Sequence, residues 1–301
     1  MTGQKSTIRS RELGDALRHA MEKANLSGKH AARLLQWSET KVSRMLTGQQ
    51  PVKEPDVAAL LALCLVTGDE RERLLSLARE YDHRGWLQQH NSCLPEELRT
   101  LINHENQATV IYQFDTLRIP GLLQTRDYAQ ALIERAAIVP MDKVRTLVET
   151  RMNRQSLLSR DRRPDLVYYL HEFALRLPVC CCAVMSEQLH HLLQMSVRRY
   201  ITIRVVPASH GAFPGGDSSC RLIEFPEMKP VVYVEELIAG NFMEDGAAVA
   251  AYRNVFAALA KCALDEGDSK ELIATLAVDL YGGGEDQDEG SRSHRLAQEQ
   301  L

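Results

Sequence analysis

The chain contains 301 residues, of which 45% are hydrophobic and 25% are charged, and its formal net charge at pH 7 is −4. This length accommodates two domains with separate cores, and the proportions are ordinary for a soluble globular protein. A run of about 18 apolar residues is absent, which excludes a single membrane-spanning helix, and the polar first residues do not read as a signal peptide. We therefore expect a cytoplasmic protein with no membrane partner.

Basic residues are concentrated at the start of the chain. Residues 1–53 contain ten Lys and Arg against four Asp and Glu, a balance of +6 that leaves −10 for the remainder. Since proteins bind DNA by neutralising phosphates with Lys and Arg, this asymmetry favours a nucleic-acid contact in the first segment.

The first 48 residues predict three helices. Apolar residues at helical spacing predict a helix over residues 10–24. Residues 27–48 predict two short helices joined by a tight turn, with Ser27 and Ser38 as N-caps and Gly48 as a left-handed C-cap. Inward-facing positions of the last helix are Val42, Met45 and Leu46.

This layout is typical of a helix-turn-helix, whose second helix places its first turns against base edges in the major groove. Arg44 can pair with guanine, Glu39 can accept from cytosine, and Lys41 can neutralise a phosphate. The residues predicted to contact double-stranded DNA are Ser27, Lys29, Ser38, Glu39, Thr40, Lys41, Ser43 and Arg44. An ordinary helical hairpin with solvated polar side chains is the alternative interpretation.

The same stretch resembles the XRE-type regulators, which are related to phage repressors. The resemblance rests on Ser38, Val42, Ser43, Arg44, Gly48 and Pro51, and it departs from the family at Gln36, where Gly is usual. It implies an all-α, lambda-repressor-like helix-turn-helix domain. The helical patterns that follow Pro55 and Gly68 complete a predicted five-helix bundle over residues 1–82.

The remainder of the chain mixes helices and strands. Residues 83–93, which include Trp86, are predicted to be a linker. Runs rich in β-branched and aromatic residues predict strands at 108–114, 166–170, 200–206, 220–225 and 231–234. We expect an α+β regulatory and dimerisation domain over residues 94–281, with a small, mostly antiparallel sheet. Residues 282–301 form a low-complexity acidic tail that we predict to be disordered.

This second domain resembles the sensor-like C-terminal domain of WhiJ-like actinobacterial regulators. The resemblance is carried by Pro-Gly-Leu-Leu-Gln-Thr at 120–125 and by Arg-x-x-Arg-Gln at 151–155. It implies an antitoxin-like domain that responds to a small protein encoded nearby or to a small-molecule effector. The residues assigned on this basis to partner or ligand binding are Pro120, Gly121, Leu122, Gln124, Arg151, Arg154 and Gln155.

The remaining reactive residues predict no catalytic residue, metal or cofactor. Three adjacent cysteines, Cys180 to Cys182, cannot all point to one metal in regular structure, and His190 and His191 diverge by about 100° on a helix. The seven cysteines show no disulfide spacing. The cysteine triplet has two interpretations, as small buried hydrophobic residues or as a redox switch.

These patterns predict a sequence-specific DNA-binding transcriptional regulator, not an enzyme. We expect a repressor that binds its operator as a homodimer, because one small module buries too little surface for high specificity. One alternative is a DNA-binding antitoxin that neutralises a toxin. The other is a metabolite-binding or enzymatic domain fused to a helix-turn-helix.

Overall fold

The structure is a computed structural model, which describes residues 7–48, 52–79, 86–89, 96–136, 139–215, 219–226, 228–236 and 239–281. The chain divides into two compact units. Unit 1 comprises residues 1–89 and 224–250, and unit 2 comprises residues 90–223 and 251–301. Parts of the predicted linker (83–85 and 90–93) and the predicted tail (282–301) lie outside the described residues.

The described elements follow in chain order. The first part of the chain contains α1 (Ile8–Lys23), α2 (Gly28–Leu34), α3 (Glu39–Leu46), α4 (Glu54–Leu63), α5 (Gly68–Arg79) and β1 (Trp86–Gln89). The middle part contains α6 (Glu96–Gln107), β2 (Val110–Asp115), α7 (Arg126–Arg135), α8 (Met141–Arg154), β3 (Asp165–His171), α9 (Phe173–Arg176) and α10 (Cys182–Met195). The last part contains β4 (Ile201–Val206), β5 (Cys220–Glu224), β6 (Val231–Glu235), β7 (Ala239–Met243), α11 (Gly246–Cys262) and α12 (Glu266–Asp279).

Unit 1 combines helices α1 to α5 with an antiparallel set of strands. Leu13, Leu17, Val42, Leu60 and Leu74 are at most 1% exposed, so the helices share an apolar core. Strand β7 pairs antiparallel with β1 on one side and with β6 on the other, and Phe242 is the partner of both Trp86 and Tyr233. Residues 86–89 of the predicted linker therefore form a strand, as do residues 239–243, where the sequence predicted none.

Unit 2 contains strands in the order β5-β2-β3-β4. The pairs β2–β3 and β3–β4 are parallel. The prediction of a mostly antiparallel sheet is therefore wrong for β2, β3 and β4, although it holds for β1, β7 and β6. The reason is that helices connect β2 to β3 and β3 to β4, and a helical crossover returns the chain in the same direction.

The two faces of this part of the sheet are both covered. On one face Phe256 of α11 packs against Tyr112 and Tyr169, with ring centroids 5.6 and 6.1 Å apart. Ile111 and Leu166, on the opposite face, are each 1% exposed. Among the described helices, none is individually long and apolar enough to cross a membrane. Helices α11 and α12, which are bent by 72° relative to each other, are together long and apolar enough for a broken span by length and composition alone.

Candidate functional site

Helices α2 and α3 of unit 1 form the predicted helix-turn-helix. The Oγ of Ser27 accepts from the His30 N–H at 3.2 Å, and the Oγ of Ser38 accepts from the Lys41 N–H at 3.2 Å. Both predicted N-caps are confirmed, because each hydroxyl satisfies an N–H that has no partner within its own helix. These contacts make Ser27 and Ser38 structural caps of the two helices.

The turn between the helices is closed by a residue in the left-handed region. Gln36 has a φ of 54°, and the Trp37 N–H donates to the Ala32 carbonyl at 2.8 Å. This is the hydrogen bond of a Schellman C-cap, in which glycine is the usual left-handed residue. Glutamine keeps the same backbone at a cost of about 1–2 kcal/mol.

Helix α3 presents two different faces. Val42 and Met45 are buried, whereas Glu39, Thr40, Ser43 and Arg44 are exposed. The exposed face lines an open groove of about 650 Å³ together with Lys29 at the start of α2. The structure thus brings five of the eight predicted DNA contacts together: Lys29, Glu39, Thr40, Ser43 and Arg44.

Arg18 of α1, which was not among the predicted DNA contacts, also lines this groove. Its Nη2 donates to the Leu46 carbonyl at the end of α3, and its Nη1 donates to Asp15, both at 2.8 Å. Arg18 therefore places a positive charge beside the C-terminus of α3, where the helix dipole favours one. The i, i+3 spacing of Asp15 and Arg18 was the available signal, but it does not reveal the contact with α3.

Lys41 makes contacts within unit 1. Its Nζ lies 2.7 Å from the Asp56 carboxylate on α4 and 4.0 Å from the centre of the Trp37 ring. Its side chain is 38% exposed. Lys41 therefore connects the turn, α3 and α4, and any phosphate contact by this lysine would compete with the carboxylate of Asp56.

The residues assigned to partner or ligand binding in unit 2 lie around one turn. The Gln124 side chain donates to the Ile119 carbonyl at 2.6 Å and accepts from Arg151 Nη1 at 2.8 Å. Gln155 Nε2 donates to the Gln124 carbonyl at 2.7 Å and to the Gly121 carbonyl at 3.4 Å. Pro120 and Leu122 are buried. The polar side chains of this motif therefore hold the backbone turn in place.

Two further residues, Arg154 and Gln188, make contacts beside this turn. Arg154 forms a bidentate pair with Glu105 of α6, with both N–O distances at 2.7 Å and both side chains buried. Gln188 of α10, which was not among the predicted site residues, accepts from the Thr125 N–H at 2.7 Å and donates to the Leu123 carbonyl at 2.8 Å. A glutamine in an amphipathic helix gives no sequence signal of this role.

The cysteine and histidine residues singled out from the sequence are spread over several environments. Cys180 and Cys182 are half-buried free thiols, and Cys181 is exposed. The His171 ring packs between those of Phe173 and Phe213, with centroids 4.7 and 4.6 Å away, and burial lowers the pKa of His171 below 6.5. In the part of the chain that the structure describes, His, Cys, Asp and Glu form no group of three or more suited to a metal ion.

Comparison with known families divides the chain in two. A family model described as a helix-turn-helix domain matches residues 12–74, which contain α2, α3 and the exposed face of α3. A second model, described as a domain of unknown function (DUF5753), matches residues 98–275, more than half of the chain. Neither a curated protein nor a solved structure matches the chain.

Proposed function

The chain belongs to the DUF5753 family and carries a DNA-binding helix-turn-helix domain, and from this premise we propose that it is a sequence-specific transcriptional repressor acting as a homodimer. In this proposal helix α3 reads the major groove of an operator. The DUF5753 region holds the two copies together and receives the signal that changes DNA affinity. The proposal assigns no enzymatic activity to the chain.

The observation that carries the proposal is the exposed face of α3. Arg44 and Ser43 are exposed there, while Val42 and Met45 anchor the opposite face in the core. A guanidinium on the outward face of a recognition helix can pair with guanine O6 and N7, and a hydroxyl can serve as donor or acceptor for several bases. The face therefore offers both a selective contact and an adaptable one.

The distribution of positive charge supports DNA binding by the exposed face of α3. The excess of six positive charges in residues 1–53 suits counterion release from the DNA backbone. Lys29 lines the groove beside the exposed face of α3 as a candidate for a phosphate contact, and Arg18, held by Asp15 and the Leu46 carbonyl, adds positive charge to the same groove. The acidic remainder of the chain opposes non-specific wrapping of DNA.

Dimerisation is supported by the size of the DNA-reading unit. A single module of this kind gives limited specificity, so two copies are expected to bind half-sites about one helical turn apart, or a multiple of it. The signal is proposed to be a small protein encoded nearby or a small molecule. Support for this part comes from the resemblance at residues 120–125 and 151–155.

The test is binding of the full chain to the DNA upstream of its own gene, compared with a scrambled fragment over a series of salt concentrations. We expect selective retention of the upstream fragment, a steep loss of affinity with salt, and a stoichiometry of two chains per operator. Equal and weak binding to both fragments would contradict the proposal. Promoter activity that rises when the protein is supplied would contradict the repressor assignment.

A further inference from the structure

The first turn of α1 is bound by a carboxylate from a distant part of the chain. The Ile8 N–H donates to Glu244 Oε2 at 3.0 Å, across 236 positions of sequence. Nη2 of Arg11 lies 3.7 Å from the same oxygen, and the side chains of Arg11 and Glu244 are 4% and 5% exposed. Both partners of Glu244 are on α1, and all three residues belong to unit 1.

The surroundings of this pair keep water away. The Cζ of Arg11 lies 5.0 Å from the centre of the Phe225 ring, and its Nη1 lies 3.6 Å from the Met228 sulfur. Burial lowers the pKa of Arg11 to about 10 and raises that of Glu244 above its usual value. Because the site is desolvated, removal of one charge leaves the other buried without its main counter-charge.

Helix α1 in turn packs closely against the C-terminal end of α3. A Cβ on Gly14 would lie 2.6 Å from the Leu46 carbonyl oxygen, and a Cβ on Gly48 would lie 2.5 Å from the Ser10 carbonyl oxygen. The backbones of α1 and of the end of α3 are therefore at contact distance. Because close-packed backbones cannot move independently, a shift of the first turns of α1 has to move α3.

We propose that Glu244 is a positioning residue for DNA recognition. It acts through Ile8 and Arg11, which fix the first turns of α1, and α1 fixes the placement of α3. The DNA-reading unit then includes Phe225, Met228 and Glu244, which lie outside the helix-turn-helix match. This inference rests on the proposed role of α3 in reading DNA.

The test uses the full chain with Glu244→Gln, which keeps an oxygen acceptor for the Ile8 N–H and removes the charge that faces Arg11. The matched control is Glu149→Gln, which removes one charge from the exposed pair with Arg126 in unit 2. Affinity for the operator fragment and for scrambled DNA is measured at a temperature where circular dichroism shows each variant folded. The double variant Arg11→Met/Glu244→Gln removes both buried charges together.

We expect Glu244→Gln to lower operator affinity about tenfold or more, while affinity for scrambled DNA changes less than about twofold, because phosphate contacts tolerate small displacements better than base contacts do. The double variant should recover most of the lost operator affinity, and Glu149→Gln should change neither affinity. A parallel loss on both DNAs, an unchanged operator affinity, or additive losses in the double variant would overturn the proposal.

A second measurement separates this inference from the proposed function. If the wild-type chain shows no preference for its operator, the proposed function fails, and amide hydrogen exchange then tests the positioning role without DNA. Glu244→Ala should speed exchange at Ile8 and along Val42 to Leu46, whereas Glu149→Ala should leave both unchanged. Faster exchange at Ile8 with unchanged exchange in α3 would refute the link between Glu244 and α3.

Discussion

Lys41 of α3 and Asp56 of α4 form an ion pair, with Nζ 2.7 Å from Oδ1. The Trp37 ring lies under the same ammonium at 4.0 Å. Lys41 was the predicted phosphate contact, and in the folded chain its charge already has a partner. The consequence is a specific expectation for the salt dependence of DNA binding.

We predict that Asp56→Asn strengthens DNA binding, because it releases Lys41 for a phosphate. The slope of log affinity against log salt concentration should become steeper by about one, which corresponds to one more counterion released from the DNA. Lys41→Met should leave the slope nearly unchanged. Lys29→Ala is the comparison, since Lys29 is exposed in the groove and its loss should lower the slope by about one. A flattened slope in Lys41→Met would show that Lys41 leaves Asp56 when DNA binds.

The second prediction concerns Arg44, the exposed guanidinium on α3. Arg44→Ala should weaken operator binding by about 1–3 kcal/mol and relax base preference at one position, as expected for loss of a bidentate contact. Arg71→Ala on α5 is the control, because Arg71 pairs with Glu72 of the same helix at 3.1 Å and is not among the residues that line the groove. Binding to a library of single-base operator variants measures the effect. Equal weakening on scrambled DNA would reassign Arg44 to phosphate.

The third prediction separates backbone strain from steric conflict at Gly48. Gly48 and Gly68 both have positive φ, 64° and 65°, but a Cβ meets the Ser10 carbonyl oxygen only at Gly48, whereas nothing lies within 4 Å at Gly68. Gly68→Ala should destabilise by about 1–2 kcal/mol through φ alone. Gly48→Ala should cost about 1–3 kcal/mol more, because the backbones of α1 and the end of α3 must separate.

Urea unfolding of the two glycine variants measures this difference, and DNA binding supplies a second readout. Gly48→Ala should also reduce operator affinity, since the end of α3 moves. Identical losses of stability in the two variants would show that the contact between Gly48 and Ser10 can relax without cost.

The fourth prediction addresses the buried pair of Arg154 and Glu105. Glu105→Gln should destabilise the fold by about 3–5 kcal/mol, because the guanidinium stays buried without its counter-charge. Arg221, whose Nη1 lies 4.0 Å from Glu105, adds a second positive charge to the same site. Chemical denaturation provides the measurement. Glu149→Gln, in the exposed pair with Arg126, should leave the free energy of unfolding nearly unchanged.

The fifth prediction is a pH dependence of stability at His191. Burial lowers the pKa of His191 below 6.5, with Arg198 adding to the effect. Below pH 6.5 the unfolded chain therefore binds a proton that the folded chain resists, so this residue makes stability fall as the pH is lowered. His191→Gln should reduce the fall in melting temperature between about pH 7 and pH 5.

The neighbouring histidine offers a control on the same helix. His190 is exposed, and its Nδ1 lies 2.8 Å from the Ser186 carbonyl. His190→Gln therefore controls for the loss of an exposed imidazole from the same helix, and the fall in melting temperature between about pH 7 and pH 5 is compared for the two variants. A profile altered equally by both substitutions would rule out burial of His191 as the cause.

Local patterns predicted much of the helix-turn-helix. The caps at Ser27 and Ser38, the left-handed Gly48 and the buried Val42 and Met45 all agree with the structure. Each depends on neighbours within about one helical turn, which the sequence displays directly. The assignment of the exposed residues to DNA contacts stays a prediction.

Long-range pairing was predicted less well. The strands of unit 2 were placed within a few residues, but the parallel pairing of β2, β3 and β4 was missed, and β1 and β7 were not predicted at all. Periodicity shows that a segment is a strand without showing which strand it joins, because partners far apart in sequence leave no local signal.

By itself, the sequence determined the helices of the helix-turn-helix domain, the caps of α2 and α3, the concentration of positive charge near the N-terminus and the outward face of α3. Only the tertiary structure decided that Lys41 is held by Asp56, that Arg18 contacts the end of α3 and that Glu244 binds the first turn of α1. The physical reason is the sequence distance over which each interaction acts. Capping and helical periodicity act over three or four residues, whereas a buried ion pair depends on which distant segments the fold brings within a few ångströms.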